Sequence, residues 1–253
     1  MKISVVTAVY NRSGTIRQAI ESVRSQSYAD VEHVIQDGGS CDDTMAIVRQ
    51  AADVNAAVVS EKDDGLYDAI NRGISRATGD IIGLMHSDDF FAGPDVLATV
   101  ARAFDSPSVQ GVYGDLQYVT ADDPPRVVRH WRSGEFEHSK LRQGWMPPHP
   151  TLYLRREVFN DYGLYDTSFN IAADYDAMLR FLTIGKIKLV YIPEVMVKMR
   201  LGGESNRSVE RILQKTREDY RIIRKYKVGG FGALALKNIS KIGQFFFKDA
   251  LLK

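Results

Sequence analysis

Short apolar runs alternate with segments of helical apolar spacing through residues 3–89, and this alternation limits the chain more than any other feature. Residues 3–9 are almost continuously apolar, the pattern of a strand covered on both faces. Asn11-Arg12-Ser13-Gly14 breaks that run. Ile16, Ala19, Ile20 and Val23 then recur at i, i+3, i+4 and i+7, one apolar stripe on a helix. The cycle repeats with a strand over 31–35 and a helix capped by Asp42 or Asp43 that carries Met45, Ile47, Val48 and Ala51. A strand over 56–60 is followed by a helix bearing Leu66, Ala69, Ile70, Gly73, Ile74 and Ala77, which Thr78-Gly79 closes. A fourth strand spans 81–85. This βαβαβαβ order specifies an α/β protein with a Rossmann-like, mostly parallel central sheet flanked by helices.

In such sheets ligands bind beyond the carboxyl ends of the strands. Each strand here delivers the chain to a polar cluster at that end: Tyr10-Asn11, residues 37–40, residues 61–65, and Asp88-Asp89. Two adjacent carboxylates repel each other, and a divalent cation relieves that repulsion. Hard oxygen ligands suit Mn²⁺ or Mg²⁺ bound to a diphosphate. A helix N-cap before Gly93-Pro94 is the alternative, and it accounts better for Asp95 than for Asp88-Asp89. The turn at Asp37-Gly38-Gly39-Ser40 lacks the Gly-Lys-Ser/Thr of a P-loop, and no Gly-x-Gly-x-x-Gly follows the first strand. Asp37 can accept hydrogen bonds from the N–H edge of a base such as uracil or guanine.

The second half is less periodic. Strands are expected over 109–113, 151–154, 188–192 and 195–200, with a loop at 119–125. Helices are expected over 157–162, 174–183 and 209–226. The polar and aromatic stretch 131–150 reads as a mobile flap over the site.

The sequence motifs carry a family likeness. Ser4-Val5-Val6-Thr7-Ala8-Val9-Tyr10-Asn11, Gln36-Asp37-Gly38-Gly39-Ser40-Cys41-Asp42-Asp43-Thr44 and Gly79-Asp80-Ile81-Ile82-Gly83-Leu84-Met85-His86-Ser87-Asp88-Asp89 strongly resemble family 2 glycosyltransferases of the GT-A (nucleotide-diphospho-sugar transferase) fold. The likeness continues through Gly163-Leu164-Tyr165-Asp166 and Ala173-Asp174-Tyr175-Asp176, and it covers about residues 3–200. The resemblance implies that Thr7, Ala8, Tyr10, Asn11 and Asp37 hold the nucleotide of a UDP- or GDP-sugar. It also implies that Asp88 and Asp89 bridge ribose and metal-bound diphosphate. His86 departs from the Asn or Asp common at its position, which leaves its partner open.

Residues 61–73 are similar to a segment of polysaccharide-biosynthesis members. By that likeness Asp64 and Asp68 bind donor sugar or base and Arg72 a phosphate. Asp68 and Arg72 equally suit a surface i,i+4 pair. Asp174 is the expected general base for an inverting transfer, with helix capping as its structural alternative. Asp176, two residues on, faces elsewhere on the helix. His149, held between prolines, corresponds to a histidine near the acceptor in related enzymes, or else serves the packing. Trp145 and Trp131 can stack on sugar faces or simply pack. Arg200, beside Gly202 and Gly203, can approach a diphosphate.

Composition limits the rest. The 253 residues are 44% hydrophobic and 26% charged, ordinary values for a globular protein. The lone Cys41 cannot form an internal disulfide, which fits a reducing cytosol, and its turn offers no partner for a nucleophile. The N-terminus runs straight into a strand, and no apolar run is long enough to span a bilayer. These features place the protein in the cytoplasm, with a peripheral position at the inner face of the plasma membrane as the extension.

Residues 200–253 carry 13 Lys/Arg against 5 Asp/Glu, whereas the remainder is acidic. Residues 231–253 read as a basic amphipathic helix, with Lys237, Lys241, Lys248 and Lys253 interspersed among leucines, isoleucines and phenylalanines. Such a helix lies on an anionic membrane surface or packs on its own domain or a partner. No nucleic-acid reading module accompanies the charge.

The expected layout is a catalytic domain over 1–204, with a nucleotide-sugar half (1–115) and an acceptor half (116–204), followed by a helical extension over 205–253. The expected activity is inverting transfer of a sugar to a glycan or lipid-linked saccharide in cell-surface polysaccharide assembly. Nucleotidyl transfer is the alternative enzyme class, and an inactive nucleotide- or glycan-binding module the non-enzymatic one. The presence of both Asp89 and Asp174 speaks against the latter.

Overall fold

The computed structural model describes residues 1–201 and 209–243. Its centre is one nine-stranded sheet. The amino-terminal half follows the sequence pattern closely: β1 (Ile3–Val9), α1 (Ile16–Arg24), β2 (Val31–Asp37), α2 (Thr44–Ala51), β3 (Ala57–Ser60), α3 (Leu66–Arg76) and β4 (Ile81–Leu84). β3, β2, β1 and β4 lie side by side and parallel, with Ile3 opposite both Val31 and Ile81. β1 is buried along its whole length, as its unbroken apolar run requires. α1 turns Ile16, Ala19, Ile20 and Val23 inward, the stripe its spacing predicts. Asp43 is the N-cap of α2, but the side-chain bond comes from Asp42, whose Oδ1 accepts the Thr44 N–H at 3.0 Å.

Beyond β4 the sheet departs from a parallel pattern. After β5 (Phe90–Phe91) and α4 (Val96–Ala103) come β6 (Gly111–Val119), β7 (Val127–Trp131), α5 (His138–Leu141), β8 (Tyr153–Arg155), α6 (Arg156–Tyr162), α7 (Ala173–Leu179) and β9 (Leu189–Arg200). β8 enters between β4 and β6, antiparallel to both. Gly83 permits this, since a Cβ there would lie 2.1 Å from the Tyr153 ring. The β6 strand is longer than its apolar core suggests, and β7, which periodicity misses, pairs with it as a hairpin. The two strands expected over 188–200 are one strand. β9 skips residues 193–194 in its register with β6, passing from Ile192 opposite Gly114 to Val195 opposite Asp115. Pro193, lacking an N–H, cannot serve that ladder.

The stretch 131–150 is a packed wall and not an open flap. Trp145 stacks on Phe136 at 5.2 Å, meets Tyr113 edge-on at 5.6 Å, and donates its indole N–H to the Ser133 carbonyl at 3.1 Å. Trp145 is thereby used in packing, and it does not line the cavity described below.

Two further helices, α8 (Val209–Lys225) and α9 (Phe231–Gly243), close the far side. Glu218 of α8 is buried and accepts the backbone N–H groups of Asn170, Ile171 and Ala172 at 3.2, 2.9 and 2.9 Å. Asp176 on α7, fully buried, accepts from Lys225 at 2.7 Å and from the Tyr226 hydroxyl at 3.1 Å. The first turns of α9 fold onto the protein: Ala233, Leu234 and Lys237 are all buried. Lys237 is therefore not a membrane-facing lysine, whereas Phe231 and Leu236 stay exposed. The rest of the expected amphipathic helix, 244–253, lies outside the described residues, and no helix among those described is long and apolar enough to cross a membrane.

A carboxylate clip ties the amino-terminal ends of β1 and β2 to the chain after α3. Glu32 accepts from Ser4 Oγ at 2.5 Å, from Thr78 N–H at 2.7 Å and Oγ1 at 2.6 Å, and from Lys2 Nζ at 3.0 Å. Burial alone would raise its pKa, but these donors hold the carboxyl down at about 2, against an ordinary 4.5. Because the folded value lies below the unfolded one, the clip is fully effective above about pH 4.5 and is lost as pH falls toward 2. Discounted for the water that still reaches it, the contribution at neutral pH is on the order of 1–2 kcal/mol. Glu32→Gln is expected to lose that amount in urea unfolding at pH 7, with a shallower decline between pH 5 and pH 2 than the wild type. Parallel stability–pH curves for the two proteins would contradict this account.

Candidate active site

The carboxyl ends of β1 and β4, the start of α7 and the inner faces of α8 and α9 enclose one cavity of about 320 Å³. Ala8, His86, Asp88, Trp131, His149, Asp174 and Arg200 all line it, so seven of the site residues singled out from the sequence meet there.

The acidic pair follows β4. Asp89 is 1% exposed; its Oδ1 accepts the Arg200 backbone N–H at 3.1 Å, and its Oδ2 lies 3.5 Å from His86 Nδ1. The Arg200 guanidinium donates to the Asp88 carbonyl at 2.6 Å and to Gln18, and it covers the Phe90 ring at 5.0 Å. Arg200 is thus first a latch that fastens the end of β9 over the acidic loop, while its edge still faces the cavity.

One ligand atom each from His86, Asp88 and Asp89 falls within a 4.8 Å group. Asp89 Oδ2 and His86 Nε2 are buried with no hydrogen-bond partner among the described residues. Burial raises the Asp89 carboxyl above its ordinary range. Burial would lower His86, but contact with Asp89, together with the fields of Asp88 and Asp174, raises it instead. A buried carboxylate oxygen and a buried ring nitrogen without partners, in a group whose ligand atoms lie within 4.8 Å of one another, are what a divalent cation would satisfy. One imidazole and two carboxylates suit Mn²⁺ better than Mg²⁺, which prefers oxygen alone.

Asp174 stands in the first turn of α7, partly buried, at the cavity wall. The Tyr67 hydroxyl donates to the Ile171 carbonyl at 2.8 Å and reaches Asp174 Oδ1 at 3.2 Å. Burial, followed by the field of Asp174, raises the Tyr67 pKa well above its usual value, so the phenol keeps its proton. His149 bonds the Tyr165 hydroxyl through Nε2 at 2.8 Å, and its ring centroid lies 5.7 Å from that of His86. Burial lowers its pKa to about 4, which keeps it neutral at pH 7. Asp176 points away from the cavity into the α8 contact, as its helical offset predicts.

The remaining expected residues fall outside the cavity lining. Tyr10, just beyond β1, is 56% exposed. Asn11 adopts a positive φ of 49°; its N–H donates to Ser40 Oγ at 2.8 Å, and its Oδ1 accepts the Cys41 N–H at 2.9 Å. The Asp37 carboxylate is already occupied by Gly39, Ser40 and Ser60, and so it shapes the turn. Thr7 is buried within the sheet against His33. Asp68 pairs with Arg72 at 2.8 Å and caps the Asp64 N–H at 3.0 Å, while Arg72 also meets Glu61 at 3.2 Å. That is the surface i,i+4 arrangement, reinforced.

Sequence reasoning passed over Arg12, Tyr67, Lys215 and Asp219, and for Lys237 it left membrane contact and packing both open; all five line the cavity. None belongs to a local pattern that sets it apart, and only the approach of α3, α8 and α9 to one space reveals them.

Comparison with known proteins identifies the fold and the family. A mannosyltransferase from Pyrobaculum calidifontis, solved with GDP-Man and Mn²⁺, superposes with a TM-score of 0.65 at 18% identity, covering 98% of this chain and 76% of that one. Staphylococcus aureus TarS matches with a TM-score of 0.64 at 16% identity over 90% of this chain; the chain spans 39% of that longer protein. The fold is accordingly GT-A-like. An uncharacterized glycosyltransferase of Mycobacterium tuberculosis is 35% identical over 180 residues, 70% of this chain and 68% of that protein. A PGL/p-HBAD biosynthesis glycosyltransferase of Mycobacterium bovis is 27% identical over 216 residues, 82% of this chain and 80% of that protein. The profile of glycosyl transferase family 2 matches residues 4–163, more than half of the sequence. The chain belongs to glycosyl transferase family 2.

Proposed function

We propose that this glycosyltransferase moves a sugar from a UDP- or GDP-linked donor to a hydroxyl of a glycan or lipid-linked saccharide, with inversion at the anomeric carbon. One observation carries the reading: a single cavity joins a metal-capable acidic end, His86-Asp88-Asp89, to a separate carboxylate, Asp174. The fold neighbours support the donor class, since one was solved with GDP-Man and Mn²⁺ and another with UDP-GlcNAc. A relative named for PGL/p-HBAD biosynthesis supports a glycolipid as acceptor. In this reading the donor occupies residues 1–115 and the acceptor residues 116–204, with 205–253 as an extension. Cys41, unable to pair within the chain, suits a cytoplasmic setting.

A divalent cation held by Asp88, Asp89 and His86 would supply positive charge where the diphosphate leaves. Asp174 takes the proton of the acceptor hydroxyl as its oxygen attacks the anomeric carbon from the face opposite the diphosphate. Tyr67, whose one hydroxyl proton is shared between the Ile171 carbonyl and Asp174 Oδ1, sits at one carboxylate oxygen and leaves the other to the acceptor. His149, neutral and tied to Tyr165, walls the space between base and acidic end. Asn11, Ser40 and Asp37 form a braced turn beyond β1 and β2, beside which the exposed Tyr10 would lie against a base. Asp64, Asp68 and Arg72 stand at the donor side, where contact with the donor would require their present pairing to open.

Two results test this reading. In a thermal-shift panel of UDP- and GDP-sugars, one donor is expected to stabilise the protein only with Mn²⁺, by about 2.7 kcal/mol at a hundred times Kd. Asp89→Asn should abolish the metal dependence, and metal-independent binding of every donor would count against the acidic site. Asp174→Asn should lower kcat by about 10²- to 10⁴-fold while donor affinity stays within about threefold. The product should be free nucleoside diphosphate, whereas release of pyrophosphate from a nucleoside triphosphate would point instead to nucleotidyl transfer.

A further inference from the structure

α8 divides its charges between two faces. Glu218 and Asp219 are turned inward, 5% and 1% exposed. Outward, Leu213, Arg217, Tyr220 and Arg224 recur at i, i+4, i+7 and i+11, which is one stripe along the helix. Leu213 is 53% exposed, and both arginines are exposed. Neither arginine side chain makes a hydrogen bond or an ion pair with the described residues. Phe231, at the start of α9, stacks on Tyr220 at 4.5 Å and is itself 73% exposed, so it prolongs the stripe. Arg221 flanks the stripe, its guanidinium 5.2 Å from the Phe169 ring. Glu210, at the amino-terminal end of α8, is the exposed acidic residue of the helix.

We propose that this face of α8 and α9 rests on an anionic phospholipid surface. Guanidinium groups interleaved with leucine and aromatic side chains match that partner. The charges meet headgroup phosphates while the apolar side chains enter the boundary beneath them. Arginine does so without giving up its hydration, because its long stem runs along the apolar layer to the charged head. A face made only for water would not set a phenylalanine and a leucine among its cations. A nucleic acid would answer the arginines and stack on Phe231, but it has no use for Leu213. The inner face of the same helix carries Lys215 and Asp219 to the cavity, about 10 Å away, one helix diameter. The membrane contact does not depend on the chemistry in that cavity. Its consequence rests on the transfer reading: an acceptor anchored in the same membrane would lie within reach of the site.

The test is co-sedimentation of the full chain, without donor or acceptor, with vesicles of phosphatidylcholine alone and with roughly one-third phosphatidylglycerol. The protein should partition onto the anionic vesicles at least about tenfold more strongly, and the preference should shrink as salt rises. Arg217→Gln combined with Arg224→Gln should weaken that binding by about 20- to 30-fold and leave transfer to a soluble acceptor unchanged. Arg217→Lys combined with Arg224→Lys should retain it. Phe231→Ser should weaken binding about fivefold; if losing the Tyr220 contact loosens α9, the arginine pair still decides. Equal binding to both vesicles, binding to neither, or full binding by the double glutamine variant would each overturn the surface. A single-stranded oligonucleotide that bound where vesicles did not would overturn it in favour of nucleic acid. Vesicle binding by a protein that transfers no sugar would sink the transfer reading alone. Transfer to a soluble acceptor without vesicle binding would sink the membrane surface alone.

Discussion

Asp89 is withdrawn from water at the end of β4, and the organisation of the cavity depends on how that carboxylate is satisfied. One oxygen accepts the Arg200 backbone N–H, which draws the end of β9 across to the parallel half. The Arg200 guanidinium then grips the Asp88 carbonyl and Gln18, so α1, the acidic loop and β9 share one fastening. The other oxygen faces His86 without a hydrogen-bond partner among the described residues. A buried carboxylate left half-satisfied is expensive in a structural role and useful in a ligand-binding one.

The opposite wall is positioned by equally long-range contacts. Glu218 gathers three consecutive backbone N–H groups just before α7, which sets where that helix begins and hence where Asp174 stands. Asp176 on the same helix is consumed by Lys225 and Tyr226. Two aspartates two residues apart thereby take unlike duties, one facing the cavity and one holding α8. Tyr67, arriving from α3, completes the arrangement by bonding both the turn before α7 and Asp174 itself. Base and acidic loop are thus held by helices and strands rather than by free loops, which favours a preorganised site.

How much of this was legible in the sequence follows from the range of the forces involved. The four parallel strands and three helices of the first half are local amphipathic units, and their apolar periods reported them with errors of a residue or two. β7 carries too few apolar positions to show a period, and the single strand β9 looked like two because Pro193 interrupts it. The insertion of antiparallel β8 depends on the room above Gly83, which no window of sequence displays. Trp145 and Lys237 were left between two readings for one reason: an aromatic or a lysine reads identically whether it faces ligand, solvent or core.

By itself the sequence determined the parallel half, the polar clusters at its strand ends and the motif series that marks a family 2 glycosyltransferase, since each is encoded in neighbouring residues. Only the tertiary structure decided which of those polar residues share a cavity. It brought Asp174 to face the Asp88-Asp89 loop, committed Asp37, Asp68 and Arg72 to intramolecular partners, and turned two lysines of the basic carboxyl-terminal region inward onto Asp219. The physical reason is that a charged side chain takes its role from the partners and water around it, and those are set by elements distant in the chain.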